Sequence, residues 1–193
     1  MTEFDFTLIL SGIRDFTDKQ VDALYEAGCD DATIAQRYGR VYMTFSRESE
    51  SMPKAIVSAI EDVKKARVGA SVRRVDTCNL VTKSEIARRI GKSRELVGKY
   101  VSGERGPGSF PAPGCNIVEG QPLWYWCEVT YWASANDIIR EEANQEAHRI
   151  SAINAILELE NFKLIAPENT ASLLRSSCQC CGPSLEGESL QDA

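Results

Sequence analysis

The chain has one histidine, three methionines and no stretch of 18 apolar residues among its 193 positions. Without such a stretch no membrane-spanning helix is expected. The opening Met-Thr-Glu-Phe-Asp-Phe lacks the basic start of a signal peptide, so the expectation is a cytosolic protein. The single His148 lies in a helical pattern with no nucleophile and orienting acid in a recognisable motif, which reads as an exposed helix residue and not a catalytic base. Seven cysteines (29, 78, 115, 127, 178, 180 and 181) are odd in number and irregularly spaced, as reduced thiols are. Cys178, Cys180 and Cys181 could share a soft metal ion. A structural zinc site needs four ligands, usually in two pairs, and no second cluster or nearby histidine exists, so no metal is expected.

Other familiar chemistry is missing too. Gly91-Lys92-Ser93 resembles the end of a phosphate-binding loop, but Ile86 stands where that motif needs its first glycine, and a helix precedes it in place of a strand. Gly103, Gly106 and Gly108 have no following helix and suit a turn better than a nucleotide site. The pairs Asp30-Asp31 and Glu141-Glu142 are adjacent, and neighbours on a helix do not face each other, so both read as solvated charge. No enzyme activity and no cofactor are expected.

A hydrophobic content of 43% is that of a globular chain. The net charge of −6 is unevenly placed. Residues 1–76 carry 11 basic and 13 acidic groups, residues 77–136 carry 7 and 5, and residues 137–193 carry 4 and 10. An acidic average does not exclude nucleic acid, because a duplex meets a local face.

In the first segment, Phe4 to Leu10 alternates as a strand does. Thr17-Asp18 can cap a helix from about Lys19 to Ala27, with Val21, Leu24 and Tyr25 on its inner face. Ala32–Tyr38 and Arg40–Ser46 read as a hairpin turning at Gly39. Ser51 and Pro53 open a helix with the stripe Ala55, Ile56, Ala59, Ile60 and Val63, and Ala70–Val75 closes the segment as a strand. Strand, helix, strand, strand, helix, strand is the split pattern of a ferredoxin-like sandwich. Stacking of RNA bases on its sheet is not expected, since Tyr42 and Phe45 lie on opposite faces of one strand and the segment is acidic. A dimerisation or partner-binding domain is the expectation for residues 1–76, with a small-molecule sensor as the alternative.

The informative stretch follows. Thr82 and Glu85 have the spacing of a capping box, and Ile86, Ala87 and Ile90 make the apolar stripe of a first short helix ending at Gly91. Ser93 caps a second helix, with Leu96, Val97, Tyr100 and Val101 inward and Gly103 at its end. Residues 83–105 hold Lys83, Arg88, Arg89, Lys92, Arg94, Lys99 and Arg105 against Glu85, Glu95 and Glu104, a concentration of cations that suits phosphate contact. Beyond it, Gly106–Gly114 is too rich in proline and glycine for helix. Cys115–Val118 and Leu123–Tyr125 then read as a hairpin, and Cys127 to Ala135 as a helix with Val129 and Trp132 inward.

With Ala87, Gly91 and Val97 at the positions where a helix-turn-helix carries such residues, residues 80–136 resemble winged DNA-binding domains of the MerR-type and excisionase-like kinds. The resemblance implies a recognition helix, Ser93–Ser102, in the major groove of double-stranded DNA. On this sequence it assigns base contacts to Ser93, Arg94, Glu95, Gly98 and Lys99. Backbone contacts fall to Lys83, Arg88, Lys92 and Arg105, with a wing at Gly106–Pro111 beside them. The expected function is a sequence-specific regulator of transcription, with a DNA-tethering adaptor or excisionase-like factor as the alternative.

Asp137 to Lys163 reads as one long helix, with Ile139, Ala143, Ile150, Ile153 and Leu157 apolar at heptad spacing beside Glu146 and Glu160. The apolar Ile150–Leu159 half needs a partner, either the chain's own core or a second subunit, and a homodimer through this helix is what the resemblance implies. Residues 167–193 are polar and acidic and are expected to form a disordered tail. The expected class is α+β, with a ferredoxin-like domain (1–76), a winged helix-turn-helix (77–136), a long helix (137–166) and the tail.

Overall fold

Alternation along the first strand determines how the sheet meets its helices. A computed structural model describes residues 2–165. Among them β1 (Thr2–Ser11) runs beside β3 (Arg40–Ser49), with β2 (Ala32–Arg37) and β4 (Ser71–Val75) outside, in the order β2-β3-β1-β4. All three pairings are antiparallel. Phe6, Leu8 and Leu10 of β1 and Val41, Met43 and Phe45 of β3 are buried on one face, as a period of two requires. Phe6 and Phe45 are direct cross-strand partners and stack at 5.2 Å. In β4 the register shifts opposite Ile9 and Leu10, and this irregularity lets Val72 and Val75, three apart, both turn inward.

Helices α1 (Asp18–Ala27) and α2 (Met52–Ala66) connect the strands in the order read from the sequence. The expected stripe of α2 is entirely buried. That of α1 is rotated: Leu24 and Ala27 are buried, while Val21 and Tyr25 lie 40% and 65% exposed. Gln20 explains part of this. Its side chain accepts from the Thr17 backbone N–H at 3.0 Å and donates to the Val68 carbonyl at 2.8 Å, which turns the Gln20 side of the helix inward.

After β4 come β5 (Leu80–Val81), α3 (Lys83–Arg89), α4 (Arg94–Ser102), β6 (Trp124–Tyr125), α5 (Trp126–Ala135) and α6 (Glu141–Ile165). Val81, Ile86, Ala87, Ile90, Val97, Trp124 and Val129 form a second core. Two expectations are corrected here. The strand at Trp124 pairs with Leu80–Val81, not with Cys115–Val118, whose hairpin is reduced to one bridge between Cys115 and Leu123. The long helix begins at Glu141 and not at Asp137; residues 136–140 turn, and Ile138 and Ile139 pack on the second core.

The buried line of α6 is Asn144, Ala147, Ile150, Asn154 and Leu157. Ile150 and Leu157 enter the core of the four-stranded sheet, and Ile153 packs against it. The apolar stripe expected to serve a second subunit is therefore engaged within the chain. Asn154 explains how a polar residue can lie inward: it accepts from the Val75 N–H at 2.8 Å and donates to the Val75 and Thr77 carbonyls, both at 3.2 Å. Backbone groups near the end of β4 are thereby satisfied.

Residues 2–158 belong to one compact unit, which ends within α6. The expected tail, with Cys178, Cys180 and Cys181, lies outside the described residues.

Candidate functional site

Two caps set the short helices. The Thr82 hydroxyl accepts from the Glu85 N–H at 3.2 Å, and the Ser93 hydroxyl from the Leu96 N–H at 3.2 Å. Between them Gly91 adopts φ 64°, a conformation that favours glycine, and turns the chain. Ile86, Ala87, Ile90 and Val97 are buried between the helices. Val101, expected inward, is 38% exposed at the rim of the stripe.

Glu85 does not complete the expected capping box. Its carboxylate instead takes Arg88 at 2.6 Å and Arg89 at 2.8 Å, three and four residues on along the same face. These guanidinium groups hold its carboxyl far below the usual range, at about 2. Arg89 is fixed further by the Cys78 carbonyl at 3.3 Å and lies 4.9 Å from the centre of the Trp126 ring. Arg88, assigned to DNA backbone, is exposed but neutralised by its neighbour.

The other assigned cations differ. Lys92, Arg94, Lys99 and Arg105 are exposed and Lys83 is half-buried, and none makes an ion pair among the described residues. On α4, Glu95 and Lys99 lie on the side opposite Val97, while Arg94, in the first turn, and Gly98 lie toward one edge of it. A Cβ at Gly98 would meet nothing within 4 Å, so the helix surface there is open to close approach. Ser93 and Glu95 are already occupied: the Ser93 oxygen caps α4, and Glu95's own N–H first and the Ser93 hydroxyl second lower the Glu95 carboxyl. Arg94, Gly98 and Lys99 are the assigned base-contact residues left free to meet a ligand.

The segment assigned as a wing is held down. Trp132 donates through Nε1 to the Gly108 carbonyl at 2.8 Å, and Trp124 does the same to Pro111 at 3.0 Å. Phe110 meets Trp132 edge-on at 4.8 Å, and Tyr100 of α4 lies 5.2 Å from the same ring. A Cβ at Gly106 would come within 2.6 Å of Tyr100, so only glycine lets the strap cross that ring. Residues 116–121 are exposed instead, with Ile117 and Val118 at 63% and 98%, and include Glu119 but no cation.

Below α3 a cavity of about 400 Å³ is lined by Asn79, Arg88, Arg89, Trp126, Glu146 and Ser151 among others. Burial raises the Glu146 carboxyl above its ordinary value. Among the described residues no group of three or more His, Cys, Asp or Glu side chains is placed to hold a metal ion. Nor is any helix long and apolar enough to cross a membrane. His148 is exposed on α6, as expected. Glu141 is not simply solvated; it accepts from Ser134 at 2.6 Å and from Asn144 at 3.2 Å.

One polar cluster escaped the sequence reading. Arg47 of β3 is 9% exposed and spends five N–H groups on five bonds: two to Asp31 at 2.7 and 2.9 Å, one to Asp62 at 2.8 Å, one to the Ser58 hydroxyl at 3.0 Å and one to the Gly28 carbonyl at 2.7 Å. Asp31 is thus an ion-pair partner and not a solvated charge. Nearby Cys29 is buried, and burial first and Asp62 second push its thiol up to about 11, so it is no nucleophile.

No known protein family, curated protein or solved structure matches the chain.

Proposed function

We propose that residues 80–136 form a winged helix-turn-helix that binds double-stranded DNA with α4 in the major groove, and that the chain regulates transcription. The observation that carries this reading is the outer side of α4, where Arg94 and Lys99 stand exposed and unpaired around an open Gly98. Arginine and lysine in such positions reach guanine O6 and N7. Lys92 just before α4 and Arg105 just after it, both exposed, supply phosphate contacts with Lys83 of α3. Arg88 contributes less than its charge suggests, because Glu85 holds it. In this reading the wing is residues 116–121 and the Gly106–Pro111 strap supports α4 from behind. The four-stranded domain at residues 1–76 is read as a ferredoxin-like sandwich serving a partner.

Engagement of Ile150 and Leu157 within the chain favours one copy per site over a dimer through α6. That favours the second reading, an excisionase-like or DNA-tethering factor, for which one copy suffices.

Selection from a random duplex library, followed by salt titration on the enriched sequence, tests the proposal. Arg94→Ala and Lys99→Ala should each cost about 1–3 kcal/mol on the selected site and relax its preference. Equal losses on selected and random duplexes would remove base readout. Absence of any enrichment at low salt would end the DNA reading.

A further inference from the structure

We infer that the β2–β3 hairpin tip is a second DNA contact, binding phosphates of the duplex that flanks the sequence read by α4. The inference rests on the DNA reading above.

The tip is Arg37-Tyr38-Gly39-Arg40. Both turn residues have positive φ, 51° at Tyr38 and 72° at Gly39. Two-residue hairpins of this twist favour asparagine or glycine at such positions, and an aromatic residue is disfavoured there. Tyr38 is nonetheless present and 90% exposed, with the Arg37 guanidinium 5.1 Å from its ring centre. Arg37 and Arg40 are direct cross-strand partners, a like-charge pairing that destabilises a sheet unless an anion joins it. Neither makes an ion pair among the described residues.

Strand directions place two more cations at this end. β1 finishes here at Ser11, opposite Ser71 at the start of β4, so the loops on either side of that pair join the tip. They carry Arg14 and Arg67, both exposed and without an ion pair among the described residues, so with Arg37 and Arg40 four arginines stand at this end against Asp15 and Asp18. The opposite end of the sheet is acidic, with Glu3 directly across from Glu48. An anion is therefore attracted to one end of this domain and repelled from the other. Forked guanidinium groups suit phosphate oxygens, and an exposed tyrosine beside them can pack on sugar or base.

The chain leaves the sheet at Asp76, whose N–H bonds the Thr7 carbonyl at 2.8 Å. From strand rise and spacing, the tip lies roughly 20 Å from that point. The tip is thus set apart from the connection that leads to α4, and its contact is with DNA beyond the bases that α4 reads.

The test compares a duplex of about 14 base pairs carrying the selected site with one of about 40 base pairs carrying the same site, using the full chain. Wild type should show a steeper dependence of log affinity on log salt with the long duplex. Arg37→Ala combined with Arg40→Ala should reduce that slope by about 2 on the long duplex and leave the short one unchanged. Tyr38→Asn, which relieves the turn, should raise the melting temperature while weakening long-duplex binding. Identical slopes for wild type and the double variant on the long duplex, with Arg94→Ala still weakening both duplexes, overturn the inference and leave the DNA reading intact; the tip then serves a different anionic partner. Binding of neither duplex by wild type overturns both.

Discussion

Replacing Arg47 by methionine keeps an unbranched stem against Phe45, over whose ring the guanidinium lies at 5.1 Å, and deletes every polar contact. Two carboxylates, a hydroxyl and a carbonyl then lose their donor. Removing one partner of a buried ion pair costs about 3–5 kcal/mol, because the remaining charge is left uncompensated. Asp31 and Asp62 each retain 26% side-chain exposure and can recover some hydration, so the low end, about 3 kcal/mol, is expected. For a chain of this length that corresponds to a fall in melting temperature of roughly 6–12 °C. Urea unfolding followed by circular dichroism should show a lower midpoint with an unchanged slope. Arg47→Lys should lie between the two, since an ammonium offers three donors and no planar fork. A loss below about 1 kcal/mol for Arg47→Met would refute the reasoning, for it would place the cluster among solvated surface pairs.

Glu85→Gln should release Arg88 to phosphate and steepen the salt dependence of DNA binding by about 1, read by the same titration. Because the folded carboxyl is depressed to about 2, its contribution to stability is complete above the ordinary value of 4.5 and disappears as pH falls through about 2; acid unfolding of Glu85→Gln should lack that dependence. Gly98→Ala has room for its methyl group and should stabilise α4 by about 0.5–1 kcal/mol in a thermal melt. If α4 enters the groove closely, the same variant weakens binding to the selected duplex; a gain in both stability and affinity would move the contact away from Gly98.

How much could be read in the sequence depended on how local the deciding interaction is. Period-two alternation located the strands, and the α2 stripe was read correctly because all five apolar residues meet one core. The same alternation carried an unused signal: Val41, Met43, Phe45 and Arg47 share one parity, which placed an arginine on the inward face. For α1 the bulky Val21 and Tyr25 outweighed Ala27 in an apolar count, although Gln20 and the small residue face inward. On α6 the heptad positions Ile150, Ile153 and Leu157 do meet the core, whereas polarity hid the inward positions of Asn144 and Asn154, the latter bonding a strand some 79 residues earlier. Trp124–Tyr125 likewise finds its partner at Leu80–Val81, across both short helices. For the candidate site, caps and turn were legible because each depends on residues within four positions, whereas the loss of Arg88 to Glu85 depends on side-chain choice between two nearby partners.

The two contact points proposed on DNA are not joined by a free linker. Asn79, in the connection after β4, donates to the Ser151 hydroxyl of α6 at 2.9 Å and accepts from the Cys127 N–H of α5 at 3.1 Å. Asn144 of α6 meets the Thr130 hydroxyl of α5 at 3.3 Å, while Asn154, two turns on from Ala147, bonds the backbone after β4. One helix thus holds both α5, which packs beneath the strap and α4, and β4, whose start adjoins the arginine-bearing loops. A held offset has a consequence for binding. With a flexible connection, the second contact would strengthen gradually as flanking DNA lengthens, since effective concentration falls slowly with reach. With the offset set by α6, lengthening the duplex should add nothing until the flank reaches the tip and should then add the full contact. A gradual rise would show that the bonds of Asn79 and Asn154 do not hold the two ends in register.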